Sequence, residues 1–376
     1  MLKISILVCL SVGALLGLHG CSDGNNNGNT DSLTVSYDEL GPYPVGNTTI
    51  SVLNASEGRV LNVEIWYPAQ SAGTTLSIQD FAANEAERDE LLSLLETAPG
   101  QCTRRDTSSS LAPQPAASPA KMPLVIFSHC YECTRYSSFS LAERLASHGI
   151  AVAAPDHARN TLFDSGAMLT PEFLATRASD VEAVLDELLI DNSQALPQSL
   201  QGRFDATRVA VAGHSFGAVT AGKVLQDDAR FKAGLIIAAP LQSPVFPGVA
   251  MANITEPLLF LIADEDNSIG VLGNAVMRAN YDAAVGPAWK VEVADAGHWS
   301  FSDIAGIVPA FNAGCGDGIR QTVPGEQFTY LDNGLAREIT AGFGVRFFAA
   351  QLLGDQAAAE DLESALFPGI VDVQAK

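Results

Sequence analysis

Val209-Ala210-Val211-Ala212-Gly213-His214-Ser215-Phe216-Gly217 runs from four unbroken apolar residues into a serine held between two glycines, and Ala218-Val219-Thr220-Ala221-Gly222-Lys223 follows with a composition that starts a helix. A short apolar run without alternation marks a strand buried on both faces, as in the middle of a parallel sheet. G-x-S-x-G between such a strand and a helix predicts a sharp turn that pushes one serine hydroxyl, that of Ser215, clear of the backbone. Small residues must flank it because the turn brings strand and helix close together. The bare pattern is common, and its weight comes from its place directly after a buried strand. A helix N-cap serine between turn glycines is the competing reading.

The surrounding sequence repeats the same kind of run at Leu124–Phe127, Ile150–Ala154, Leu235–Ala238 and Leu258–Ile262. Val60–Trp66 instead alternates apolar and polar residues, the pattern of a half-buried strand. Between the runs lie helical patterns; in 178–189, Val181, Val184, Leu185 and Leu188 share one face at spacings of three and four. Strands alternating with helices predict an α/β fold with a mostly parallel central sheet and helices on both faces. We expect one such domain over residues 33–376, with an insertion at about 70–120 that holds an acidic helix (Phe81 to Leu95) and a loop (Ser108 to Pro119). In sheets of this kind the chemistry sits at the carboxyl ends of the strands.

A serine hydroxyl is a weak nucleophile until a base takes its proton. Behind a turn of this type the partners follow in the chain order serine, acid, histidine. Of six histidines only His298 lies beyond Ser215, and it follows the strand-like Val291-Glu292-Val293, so it is assigned as the base. The acid belongs at the end of a strand between the two, where Leu258–Ile262 leads into Ala263-Asp264-Glu265-Asp266. Asp266 is the first choice and Asp264 the alternative. Ala238-Ala239-Pro240, after the preceding strand, offers no carboxylate, and Asp295 lies too near His298 in sequence to orient its ring. Two backbone N–H groups are expected to hold an oxyanion: that of Phe216, next to the nucleophile, and that of Tyr131, in the loop after Leu124–Phe127. His129 and His214 read as hydrogen-bonded structural residues.

Composition narrows the setting. Against 21 Lys+Arg stand 43 Asp+Glu, a net charge of -22 that disfavours nucleic acid as a partner. Residues 1–20 read as an export signal, with one lysine and then Ile4 to Leu18 almost wholly apolar, too short for the about 20 residues of a membrane span. Residues 21–32 read as a polar flexible tether. Cys102, Cys130, Cys133 and Cys315 are candidates for two disulfides, in any of three pairings. Cys130 and Cys133 form a single C-x-x-C; without a second one, or an H-E-x-x-H, no metal is expected.

Two stretches carry a more specific likeness. Leu18-His19-Gly20-Cys21 resembles a bacterial lipobox, which implies lipidation of Cys21 and anchoring to the cell envelope, facing the periplasm or the surface. The usual small residue is replaced there by His19. Pro123–His129, Leu141–Gly149 and Ala154-Pro155-Asp156-His157 look like the dienelactone-hydrolase and platelet-activating-factor-acetylhydrolase-like branch of the α/β hydrolases, itself similar to cutinase-like polyester hydrolases. The likeness runs from about Arg59 to Leu353, the insertion excepted. It implies the α/β-hydrolase fold, no cofactor, and a serine carboxylic-ester hydrolase acting through an acyl-enzyme on lipid-like or polymeric esters. A peptidase of the same fold and an inactive binding lipoprotein are the alternatives. Dienelactone hydrolases proper use cysteine, so Ser215 argues against their reaction. Cys130 stands where relatives carry glycine, and an acid at Asp266 resembles the cutinase-like arrangement more than that of the acetylhydrolases.

Overall fold

In the computed structural model of the chain, which describes residues 36–102, 105–244, 246–364 and 366–376, successive residues of the buried runs go to two different apolar clusters. Leu124, Ile126, Val209 and Val211 pack into one, and Val125, Phe127, Ala210 and Ala212 into the other. A strand that is apolar on both sides needs a layer above and a layer below, so the runs become the middle of a three-layer sandwich. The expected export signal, Cys21 and the tether lie outside the described residues. Ser36–Lys376 forms one unit by its internal contacts. No helix among the described residues is long and apolar enough to cross a membrane.

The strands in chain order are β1 (Val45–Asn54), β2 (Arg59–Pro68), β3 (Ser109–Leu111), β4 (Met122–Ser128), β5 (Ala151–Pro155), β6 (Phe204–His214), β7 (Phe231–Ile237), β8 (Leu258–Ala263), β9 (Ala288–Val293), β10 (Asp317–Ile319), β11 (Gln327–Thr329) and β12 (Val371–Ala375). Ten form one sheet in the order β12-β9-β8-β7-β6-β4-β5-β2-β1-β3, while β10 and β11 make a separate hairpin. From β5 through β4, β6, β7 and β8 to β9 every pairing is parallel. Antiparallel pairs occur only toward the two ends, at β5–β2, β2–β1 and β9–β12.

The helices are α1 (Glu85–Thr97), α2 (Phe139–Ser147), α3 (Pro171–Leu188), α4 (Phe216–Asp227), α5 (Gly270–Ala283), α6 (Asn333–Phe348) and α7 (Gln356–Leu362). Leu141 and Leu145 of α2 and Phe343 and Phe347 of α6 join the cluster on one face. Val181 and Leu185 of α3, Val224 of α4 and Met277 of α5 join the cluster on the other. The sheet is therefore mostly parallel with helices on both faces, as the sequence predicts.

Local details differ from the sequence reading for physical reasons. Helix α3 begins seven residues before Ala178, because Thr170 caps it (Oγ1 accepts from Phe173 N at 3.1 Å) and Pro171 occupies the first turn. The acidic helix starts at Glu85, capped by Asn84, with Ile78–Phe81 forming a separate turn before it. The stretch expected as loop contains β3, which adds Ser109–Leu111 to the sheet edge alongside β1. Segment 70–120 is tied into the main body: Phe81 and Leu91 are buried in the core. Ser108 N and Ser109 Oγ donate to the buried Glu143 carboxylate at 2.9 and 2.6 Å, and burial pushes that carboxyl up to about 7. The bridge Cys102–Cys315 closes a loop 213 residues apart in sequence. In the chain-entropy account, closing a loop of such length stabilises by about 5 kcal/mol.

Candidate active site

Strand β6 ends at His214 and α4 begins at Phe216, so Ser215 alone makes the turn, at φ +56° and ψ −123°. That conformation is costly for a residue with a Cβ, and residues held in it cluster at functional sites. Ser215 N donates to Ile237 O of β7 at 2.8 Å, which pins the turn to the neighbouring strand. The flanking glycines follow from close approach. A Cβ on Gly213 would stand 2.1 Å from Gly217 O, and one on Gly217 would stand 1.9 Å from Ser128 O. No side chain fits at either place.

His298 comes from the loop after β9 and is almost fully buried. Its Nε2 lies 2.9 Å from Ser215 Oγ and its Nδ1 lies 2.7 Å from Asp266 Oδ2. Asp266 follows β8, and its other oxygen, Oδ1, accepts from the N–H groups of Ser268 and Ile269 at 2.9 and 3.0 Å. Those two donors fix the carboxylate at the start of α5, leaving Oδ2 to face the imidazole. The structure therefore brings Ser215, His298 and Asp266 into one hydrogen-bonded line.

The other carboxylates nearby are engaged elsewhere. Asp264 faces Arg278 and Glu292, and burial together with the Glu292 charge pushes it up to about 6. Asp295 pairs with Arg320, and Glu265 is held by Arg320, Gln321 and Thr322. His214 is buried, its Nε2 at 2.9 Å from His298 O, and burial pushes its imidazole down to about 3. His129 is also buried: its Nδ1 is 2.7 Å from Cys130 O and its Nε2 accepts from His157 N at 3.1 Å. Neither ring is placed to take a proton from Ser215.

Phe216 N belongs to the first turn of α4, where amide groups have no partner within the helix and the helix dipole favours negative charge. Tyr131 and Ser215 line the same cavity. The loop carrying Tyr131 is closed by the disulfide Cys130–Cys133, so the four cysteines pair as Cys102–Cys315 and Cys130–Cys133. Tyr131 Oη donates to Ala167 O at 2.7 Å and ties this loop to the segment before α3.

The cavity beside Ser215 measures about 290 Å³. Phe216, Val219, Phe246, Ile269 and Leu272 supply much of its wall, and none of its described lining residues is charged. Leu169 and Leu272, which also line it, are 50% and 69% exposed. Sequence reasoning missed one buried group, Arg177 of α3, which donates to the carbonyl of His129. Its signal was present: it lies four residues before Val181, a charge on the apolar stripe of the helix.

The family model described as platelet-activating factor acetylhydrolase, isoform II, matches residues 32–185 and 176–310. A platelet-activating factor acetylhydrolase of Cavia porcellus is 30% identical over 175 residues, 38% of this chain and 40% of that protein. Cutinase est1 of Thermobifida alba is 35% identical over 136 residues, 36% of this chain and 40% of the cutinase. The matched region thus spans about two fifths of each relative's length. The solved structure of a ferulic acid esterase from Streptomyces cinnamoneus superposes with a TM-score of 0.62 at 23% identity, covering 90% of this chain and 97% of that one. That likeness speaks for the α/β-hydrolase fold.

Proposed function

Because the chain belongs to the platelet-activating factor acetylhydrolase isoform II family, we propose that it is a serine carboxylic-ester hydrolase working through an acyl-enzyme on lipid-like or polymeric esters. The observation that carries this reading is the single imidazole, His298, bridging Ser215 Oγ and Asp266 Oδ2. Ser215 Oγ attacks the ester carbonyl carbon while His298 Nε2 takes the hydroxyl proton. The tetrahedral oxyanion is held by the N–H groups of Phe216 and Tyr131. Collapse expels the alcohol, which leaves with the proton from His298. Water then attacks the acyl-enzyme, giving its proton to His298, and the acid is released as Ser215 regains its own. Asp266 keeps the Nδ1–H tautomer and stabilises the imidazolium.

The uncharged apolar cavity and its exposed leucines support neutral, apolar acyl or alcohol groups. Activity should rise from p-nitrophenyl acetate toward longer acyl esters in a chain-length panel, because burial of each added CH₂ contributes about 0.8 kcal/mol. A phospholipid bearing a short ester and a polyester film complete the panel. A preference for charged acyl groups would contradict the substrate assignment. The disulfides fit an exported protein. Anchoring through a lipid on Cys21 belongs to the same reading. Cys21→Ser should then move the protein from the membrane fraction to the soluble fraction of its host, and an unchanged distribution would remove the anchor.

A further inference from the structure

We infer that Arg177 is a positioning residue for the oxyanion site, its buried guanidinium holding the end of β4 against the start of α4 so that the N–H groups of Tyr131 and Phe216 converge. The inference rests on the serine-hydrolase reading above.

Arg177 is wholly buried. Nη2 donates to the carbonyl of His129 and to Ser128 Oγ at 3.0 Å, and Nη1 donates to Asn160 Oδ1 at 2.6 Å. Cζ lies 4.8 Å from the centre of the Phe216 ring. One planar group thus touches the loop that leads to Tyr131 and the residue that follows the nucleophile. There is no slack between these two segments, since the carbonyls of Ser128 and His129 already lie against the Cα of Gly217. A displacement of His129 O is therefore passed on to the helix start, and with it to the gap between the two donors.

Stability alone does not explain the residue. Taking a cation out of water costs several kcal/mol, and such a charge normally faces a carboxylate in direct contact. The carboxylate whose charge acts on it, Asp180, accepts its hydrogen bonds from Arg59, His157 and Asn54 instead. Arg177 is held by two uncharged side chains and a carbonyl, and its Nε has no hydrogen-bond partner among the described residues. Burial accordingly pushes the guanidinium down to about 9. An apolar side chain of similar length would fill this space at lower cost, whereas the fork alone can bind three oxygens in fixed directions.

The test compares Arg177→Met with the natural protein, counting active sites by complete titration with a fluorophosphonate. Loss of one oxyanion donor costs about 10² to 10³ in rate, so a misplaced donor should lower kcat per titrated site by about 10- to 100-fold, with KM changed less than about threefold. Affinity for a trifluoromethyl ketone, which forms the tetrahedral adduct, should fall by the same factor as kcat/KM. A merely structural role would lower Tm and the number of titrated sites while leaving kcat per site and ketone affinity in place. A folded Arg177→Met with kcat per site within about threefold of the natural protein overturns the inference. If that variant does not fold, Arg177→Lys decides. Its single ammonium can hold His129 O without the other two contacts, and a loss of about five- to tenfold in both kcat and ketone affinity is expected. Natural values of both in Arg177→Lys would overturn the inference equally. If the natural protein neither hydrolyses esters nor labels at Ser215, the serine-hydrolase reading fails first, and this one falls with it.

Discussion

Ser215→Ala is expected to fold normally and to hydrolyse no ester at a measurable rate, with a loss on the order of 10⁶ in kcat, as when a triad nucleophile is removed elsewhere. The hydroxyl is the group at the turn that faces His298 Nε2, 2.9 Å away. Deleting it removes one partly exposed hydrogen bond, so stability should change by no more than about 1 kcal/mol. Labelling by a fluorophosphonate should vanish together with turnover. Retention of more than a trace of activity in purified Ser215→Ala would place the nucleophile elsewhere. Ser215→Gly adds a test of the backbone. Glycine costs about 0.5–1 kcal/mol through the freedom it gives the unfolded chain. At φ +56° and ψ −123° it also relieves strain of about 1–3 kcal/mol. The glycine variant should therefore melt no lower than the alanine variant, and a clearly lower Tm would mean that the turn holds no strain.

How much of this was legible in the sequence depends on how many faces of an element are buried. β4, β8 and the C-terminal parts of β6 and β7 are covered on both sides, so each shows as an unbroken apolar run. β1 was not recognised, because along Val45–Asn54 buried positions are mixed with exposed Thr49, Ser51 and Leu53, and its apolar residues are separated by asparagine and threonine. β12, at the sheet edge, is mostly exposed and is held by its ladder to β9 rather than by burial. β3 has three residues and no pattern of its own; pairing with β1 makes it a strand.

The site divides in the same way. Ser215 was legible because a turn this tight admits only small neighbours, which leaves a trace in the residues themselves. His298 was legible because the chain holds no other histidine beyond Ser215. The pairing of four cysteines was open, since three pairings are equally compatible with the spacing and only the fold brings Cys102 to Cys315. Arg177 was not singled out, although it sits in register with Leu174, Val181 and Leu185, all buried. A charge on a buried stripe implies either a cost or a task, and it is the sequence signal most worth following in helices beside an active site.

Asp266→Asn separates the two carboxylates that the sequence left side by side. Asparagine keeps an oxygen for the N–H groups of Ser268 and Ile269, so the side chain should stay where Asp266 stands. Its amide then points N–H groups at His298 Nδ1, which must accept and so leave its proton on Nε2. In that tautomer Nε2 donates to Ser215 instead of accepting, and kcat should fall by about 10⁴ with little change in KM. Asp264→Asn should leave kcat within about twofold, because Asp264 faces Arg278 and Glu292 and no hydrogen bond joins it to His298. Its effect belongs to stability and has a definite sign. The Asp264 carboxyl is pushed up to about 6 in the fold by burial, then by the charge of Glu292, so the native state binds this proton more tightly than the unfolded chain, whose ordinary value is 3.8. Stability from this group therefore declines as pH rises from about 4 to about 6, and the ionised carboxylate is a burden above that. Asparagine carries no such burden, so urea unfolding should find Asp264→Asn more stable relative to the natural protein at pH 8 than at pH 4. A crippled Asp264→Asn beside an active Asp266→Asn would reverse the assignment of the acid, and with it the use made of the loop after β8.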